Sequence, residues 1–326
     1  MKSHLFLRLA VLLAVSACGP GIVQTPTGTP PPTLIGATLH GLFEGITPCS
    51  SLTRPLPQIP ADSECELMIW KVMLYQDTAT GTPTSYLLES TYGVSQANTM
   101  GPAGGGTPIS MEGTWSIAMG TKADPDAEVL QLYSEDSQVA VSFVKLSDDI
   151  LHVLNRDQSL MLGNASWSYT LNRTDNQPPL SMDEPVNPGP EATRPPIPEM
   201  PPGSSILGVY EGRSPCHEIV FEILGVTPYP NCLKIKLRLT LYQDQETGAP
   251  STYMALGTST IREGTWTILH GTRDNPEAVV YQIHLDDPEK PVSFLKADEN
   301  HLFLLDKDLN LLTGNALFSY TLSRIE

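Results

Sequence analysis

Positive charge is scarce in this chain. It carries 19 Lys and Arg against 36 Asp and Glu in 326 residues, a formal net charge of −17. Phosphate contacts need clustered cations, so nucleic acid is excluded as a partner class, as is a polybasic membrane surface. A long apolar run is missing too, because Leu9-Ala10-Val11-Leu12-Leu13-Ala14-Val15 is too short to span a bilayer comfortably. No nucleophile, base and acid set stands out. Ser142 and Ser293 lie in apolar segments without a Gly-x-Ser-x-Gly elbow. Gly104-Gly105-Gly106 lacks the following Lys-Ser/Thr of a phosphate loop. The chain is therefore not expected to be an enzyme. What is present is 40% hydrophobic residues and 17% charged ones, enough for a packed core at a length that suits two domains.

Lys2 and Arg8 flank the start of the short apolar stretch, so residues 1–17 have the form of a secretory signal. Val15-Ser16-Ala17-Cys18 resembles a bacterial lipobox, in which Cys18 would be diacylated and become the first mature residue. The alternative is an ordinary signal peptide cleaved after small residues. Several acyl chains together hold a protein stably on a membrane. The expectation is an exported cell-envelope protein with a lipid anchor, on the outer membrane or the outer face of the cytoplasmic membrane. Pro26, Pro30, Pro31 and Pro32 make residues 18–34 an extended tether.

The chain repeats itself. Cys49, Cys65, Tyr75, Asp77, Gly81 and Tyr86 recur as Cys216, Cys232, Tyr242, Asp244, Gly248 and Tyr253 at an offset of 167. Gly113-Thr114-Trp115, Val141-Ser142-Phe143, Gly163-Asn164-Ala165 and Ser168-Tyr169-Thr170-Leu171 recur at an offset of 151. The first copy thus holds sixteen extra residues between Gly93 and Ser110, read as a flexible hairpin insertion. Ten prolines in residues 174–205 mark a linker between a domain at 35–173 and one at 206–326.

Both copies alternate with the period of strands. Ile235-Lys236-Leu237-Arg238-Leu239-Thr240-Leu241 does so without a fault, whereas Met68 to Leu74 is apolar on both faces except for Lys71. Asp77 to Gly81 and Asp244 to Gly248 supply turn chemistry between strands. About eight short strands per copy and no long amphipathic helix define the expected fold: all-β, two tandem antiparallel β-barrels joined by a Pro-rich linker. Trp115 and Trp266 are expected as core anchors, and Trp115, Phe143 and Trp167 as filling for the barrel interior.

The remaining four cysteines allow three pairings. Duplication favours Cys49–Cys65 and Cys216–Cys232, each closing its own copy, and export favours their oxidation. The functional alternative is thiolate coordination of Cu(I) or Zn²⁺, which two cysteines begin but do not complete. His217 adjoins Cys216, yet the first copy has Ser50 there. His40, His152, His270, His284 and His301 also lack matching histidines and read as hydrogen-bonded structural groups.

Together these motifs resemble the NlpE-like lipoproteins, over both copies. Phe43-Glu44-Gly45 with Pro48-Cys49, and Tyr210-Glu211-Gly212 with Pro215-Cys216, are similar to the family's opening. Asp77 and Asp244, each twelve positions after a cysteine, Gly113-Thr114-Trp115, Gly264-Thr265-Trp266 and Leu305-Asp306 extend the likeness. The resemblance implies a lipocalin-like barrel with a short helix or none. It also implies a role in envelope homeostasis or stress and metal sensing, with copper as the one possible cofactor and an envelope protein as a possible partner. Where the family has Cys-x-x-Cys, fifteen residues separate the cysteines here. The competing expectation is a carrier of a small hydrophobic ligand, which would need space inside a barrel.

Overall fold

The computed structural model describes residues 36–50, 53–97, 99–134, 138–178, 196–273, 275–286 and 290–326. The signal segment, Cys18, the tether and the middle of the Pro-rich linker lie outside these residues. Residues from Gly36 to Glu326 form one compact unit.

That unit holds two closed antiparallel barrels of eight strands each. The first runs β1 (Ala37–Pro48), β2 (Leu67–Asp77), β3 (Pro83–Gly93), β4 (Thr107–Met119), β5 (Glu128–Tyr133), β6 (Val139–Ser147), β7 (Ile150–Val153) and β8 (Thr170–Arg173), with β8 closing on β1. The second runs β9 (Ser204–Ser214), a short helix α1 (Glu218–Leu224), β10 (Ile235–Asp244), β11 (Pro250–Leu256), β12 (Ile261–His270), β13 (Val279–His284), β14 (Val292–Lys296), β15 (His301–Leu304) and β16 (Thr321–Arg324), with β16 closing on β9. Closure leaves no unpaired sheet edge for another chain to extend.

Strand alternation places the core. In β10, Ile235, Leu237, Leu239 and Leu241 point into the barrel while Lys236 is exposed. In β2, Met68, Trp70, Val72 and Leu74 point inward, and the apolar outer face is accounted for by Leu67 and Met73, which are buried as well. Trp115 and Trp266 are buried anchors, and each donates its indole N–H to the carbonyl of the matching tyrosine, Tyr75 or Tyr242, at 2.7 Å. Phe43, Trp70, Phe143 and Tyr169 fill the first barrel. Trp167 does not join them. It stands outside the barrel, because it belongs to the turn closed by Asn164 and precedes β8, where the inward alternation begins.

Turn chemistry is the same in both copies. The Asp77 carboxylate accepts from the Ala79 and Thr80 amides and the Thr80 hydroxyl, and Asp244 repeats this with Glu246 and Thr247. These bonds hold both carboxyls below the ordinary carboxylate range. The sixteen-residue insertion is a built hairpin rather than a loose one. It lengthens β3 and β4 so that they pair as far as Tyr92–Thr107, and Ser95 then bridges Pro102. Its glycine triplet turns the chain at φ of 65°, 85° and 73°, conformations that side chains disfavour.

Candidate functional site: two clipped mouths and a shared seam

In each copy the strand that holds the aromatic-x-Gly motif runs out toward a cysteine, and after fifteen intervening residues a second cysteine returns the chain to the sheet. Cys49 is bonded to Cys65 and Cys216 to Cys232, with Cα–Cα distances of 5.2 and 5.9 Å. The interval between them lies over the barrel mouth. In the first copy it is a proline-rich loop whose Leu56 and Ile59 are buried within the barrel core. In the second copy it begins with α1, whose Val220, Phe221, Ile223 and Leu224 are buried in the same way. The interval that separates this chain from a Cys-x-x-Cys pattern is therefore a plug, clipped at both ends by its disulfide.

His217 belongs to that clip. Its Nδ1 accepts from the Ile219 amide at 3.3 Å and caps α1, while its ring lies edge-on to Tyr320. Ser50, its counterpart, accepts from the Thr53 amide at 3.2 Å. The position of His217 and Ser50 thus presents an acceptor to a nearby amide in both copies, capping α1 in the second and holding a loop turn in the first. The four cysteines are engaged in S–S bonds and offer no thiolate to a metal in this oxidised form. Among the described residues no group of three or more His, Cys, Asp or Glu side chains is arranged to hold a metal ion. The donor set as it stands does not fit a resident copper ion.

Beside the first mouth runs an open cleft of about 1480 Å³, lined by Arg54, Gln58, Glu112, Gln131 and Asn155 among others. Its exposed lining is mostly polar, and its floor is formed by plug and core residues, Leu56, Ile59, Met111, Val141 and Met161. Arg54 stiffens the loop beside it by donating to the carbonyls of Ala61 and Ser63 at 3.0 and 2.8 Å.

The two barrels meet along the outer faces of β7–β8 and β15–β16. Tyr169, Leu171, Tyr320 and Leu322 point inward, so Ser168, Thr170, Ser319 and Thr321 point out, toward each other. The hydroxyls of Ser168 and Ser319 are 2.7 Å apart and those of Thr170 and Thr321 are 2.9 Å apart. Ser319 also donates to Thr321. Each of these residues touches its own repeat counterpart, as in an isologous dimer interface, though here within one chain. His152 and His301 are fully buried in this seam with ring centroids 5.0 Å apart, and both Nε2 atoms lie against the Met161 carbonyl at 3.0 and 3.1 Å. Burial, reinforced by the His301 charge, pushes the His152 pKa down to about 3. His301 Nδ1 faces the Asp298 carboxylate at 2.8 Å.

The repeated Gly-Asn-Ala turns also serve the seam. Asn164 and Asn315 each accept from the two amides that follow in their turns. The glycines serve the tight turn first and the approach of the opposite barrel second: a Cβ on Gly163 would lie 2.6 Å from the Trp167 carbonyl and 2.7 Å from Ser323 Oγ, and one on Gly314 would collide with the Phe318 carbonyl and lie 2.9 Å from Asn172 Nδ2. Asn172 donates to the carbonyls of Asn315 and Phe318 and accepts from the Gly314 amide. Leu56, Ile59 and Asn172 carry no chemistry-bearing motif, and no pattern in the sequence singles them out. For the seam, the Ser-x-Thr pair repeated on both sides at one offset was the available signal.

The family model described as NlpE N-terminal domain matches residues 224–315. That stretch runs from the end of α1 to the Gly314-Asn315 turn, and includes Cys232, Asp244, Gly264-Thr265-Trp266 and Leu305-Asp306. The NlpE match covers β10 to β15, six of the eight strands of the second barrel, and the likeness of the first barrel rests on the internal repeat. No curated protein and no solved structure matches the chain.

Proposed function

We propose that this chain is a non-enzymatic, lipid-anchored protein of the bacterial cell envelope, acting in envelope homeostasis or in stress or metal sensing. The observation that carries the reading is the NlpE N-terminal domain match over residues 224–315, since that domain is associated with envelope lipoproteins. Two disulfides suit an exported, oxidising setting, and the lipobox-like segment ending at Cys18 supplies the anchor. The test is fractionation of cells expressing the wild-type chain and Cys18→Ser, with a fatty-acid label. Labelled wild type in the membrane fraction and unlabelled, released Cys18→Ser is the expected result. Equal membrane retention of both without label would overturn the anchor.

In this reading copper reaches thiolates only after a disulfide is reduced. Titration of the reduced protein with Cu(I), beside Cys65→Ser, separates the two forms of the proposal. Weaker binding by the variant supports metal sensing, and identical weak binding in both removes it. The partner is then an envelope protein that responds to the state of a mouth.

The open cleft of about 1480 Å³ favours a second reading, a small-ligand carrier. Because Trp70, Phe43 and Phe143 fill the interior, such a ligand would occupy the cleft and not the lumen. Its polar lining suits a polar molecule better than a hydrophobic one.

A further inference from the structure

The second barrel carries an uncompensated group of positive charges on its outer wall. Arg213 on β9 and Lys236 on β10 stand directly opposite each other in the antiparallel register, with Lys234 two residues before Lys236. Like charges in directly opposed positions repel. The neighbouring register pair is built the other way, with Arg238 opposite Glu211 and ion-paired to it. Among the described residues no carboxylate forms an ion pair with Arg213, Lys234 or Lys236. Burial draws the Arg213 guanidinium below its ordinary pKa; burial, and then the charges of Arg213 and Lys236, do the same to Lys234. The fold does not demand these cations, since the first copy has Ile46, Leu67 and Ile69 at the matching positions.

Arg213 and Lys236 border a crevice of about 280 Å³ between the barrels, lined also by Arg238 and its ion-pair partner Glu211 on one side and by Ala165 and Ser166 of the first barrel on the other. Lys234 lies outside its lining, with its ammonium over the Phe318 ring. The Arg213 guanidinium lies 5.7 Å from the centre of the Trp167 ring. Two N–H donors beside it, Arg213 Nε and Trp167 Nε1, are buried without a hydrogen-bond partner. Buried donors are normally paired, so two orphans beside two cations without an ion-pair partner, Arg213 and Lys236, mark a site short of an acceptor.

We propose that this crevice binds a small oxyanion, a phosphate or carboxylate group, held by Arg213 and Lys236 against Ala165 and Ser166, with the Glu211 carboxylate already taken up by Arg238. An anion there satisfies the free donors, neutralises the opposed cations and joins the barrels at a point the hydroxyl seam does not reach. The Arg213 guanidinium supplies a planar fork and the Lys236 ammonium a point charge, a combination suited to either oxyanion.

The test is calorimetric titration of the full-length protein with sodium phosphate and, separately, sodium acetate, at matched ionic strength in sodium chloride, with thermal unfolding in the same buffers. The expected result is a saturable heat with at least one of the two anions and a rise in unfolding midpoint of about 2 °C or more over chloride. Binding of phosphate alone assigns a phosphate group, and binding of acetate assigns a carboxylate. Lys236→Ile, which installs the residue of the first copy, and Arg213→Gln should each lose at least tenfold in affinity. Their midpoints in dilute chloride should be no lower than wild type, because substitution relieves the repulsion. Identical midpoints in all three salts with no heat, or an undiminished response in both variants, would overturn the site.

Discussion

The first barrel closes its mouth with a loop and the second closes its mouth with a helix, yet both do so across the same fifteen-residue interval and behind the same kind of disulfide. Loop 53–64 holds its shape through Arg54 and its prolines, and inserts Leu56 and Ile59. Helix α1 is capped by His217, ends at Gly225 with φ 62°, and inserts Phe221 and its apolar neighbours. A seven-residue helix has no independent stability in water, so α1 exists because its apolar face is buried. The comparison teaches that the apolar insertion and the disulfide are the shared device, and that secondary structure inside the interval is free to differ.

The comparison can be strained in order of effect. Phe221→Ala should cost about 3–5 kcal/mol and Leu56→Ala about 2–5 kcal/mol in denaturant unfolding, because both side chains leave cavities in a packed mouth. Losses of under about 0.5 kcal/mol, the range of surface substitutions, would break the plug reading. Removing a disulfide as a pair, Cys49→Ala with Cys65→Ala or Cys216→Ala with Cys232→Ala, should cost about 3 kcal/mol in either barrel. The two losses should be nearly equal because the loops are of equal length, and a large inequality would assign the stabilisation to strain or to α1 instead.

A third effect belongs to the seam, where the copies differ as His152 against Phe303. The folded pKa of His152 lies at about 3 and its ordinary value at 6.5. Above pH 6.5 the ring is neutral in both states and its contribution is complete. As pH falls from 6.5 toward 3, the unfolded chain takes up a proton that the folded chain refuses, and stability is lost at about 1.4 kcal/mol per pH unit. Denaturation at pH 7 and pH 5 should therefore differ by about 2 kcal/mol from this group. His152→Phe, which copies the other barrel, should flatten that difference. Asp298 titrates below the pH 7 to pH 5 comparison: burial raises its pKa, but the His301 hydrogen bond and charge outweigh it and hold the carboxyl below its ordinary 3.8. The smallest effect is at the caps, where Ser50→Ala and His217→Ala should each cost about 0.5–1 kcal/mol. Loss of Cu(I) affinity in His217→Ala with no loss of stability would instead favour a ligand role.

Much of this architecture could be read from residue spacing. The two offsets, the Asp77 and Asp244 turns, the Trp115 and Trp266 anchors and the faultless alternation of β10 all report local geometry, which sequence encodes directly. The plug could not be read. Leu56 and Ile59 sit among Pro55, Pro57 and Pro60, and such a run looks like surface loop until a barrel mouth is placed beneath it. Trp167 differs from its expected place for a related reason: an aromatic residue near a strand is assigned to the core by default, and spacing even puts it on the face of Tyr169 and Leu171, but the Asn164 turn holds it before the strand begins. The seam escaped because Ser168, Thr170, Ser319 and Thr321 are outward polar residues, and whether water or another barrel meets them is decided by tertiary packing. The cations of β10 were visible as the polar half of an alternation. Their meaning depends on Arg213, which only the strand register brings opposite Lys236.

Peptide mapping of the oxidised, unreduced protein by mass spectrometry bears most directly on the claim that each cysteine interval closes over its own barrel. One linked peptide should join Cys49 to Cys65 and another should join Cys216 to Cys232. A Cys49–Cys216 link, or any of the four recovered as a free thiol, would contradict it.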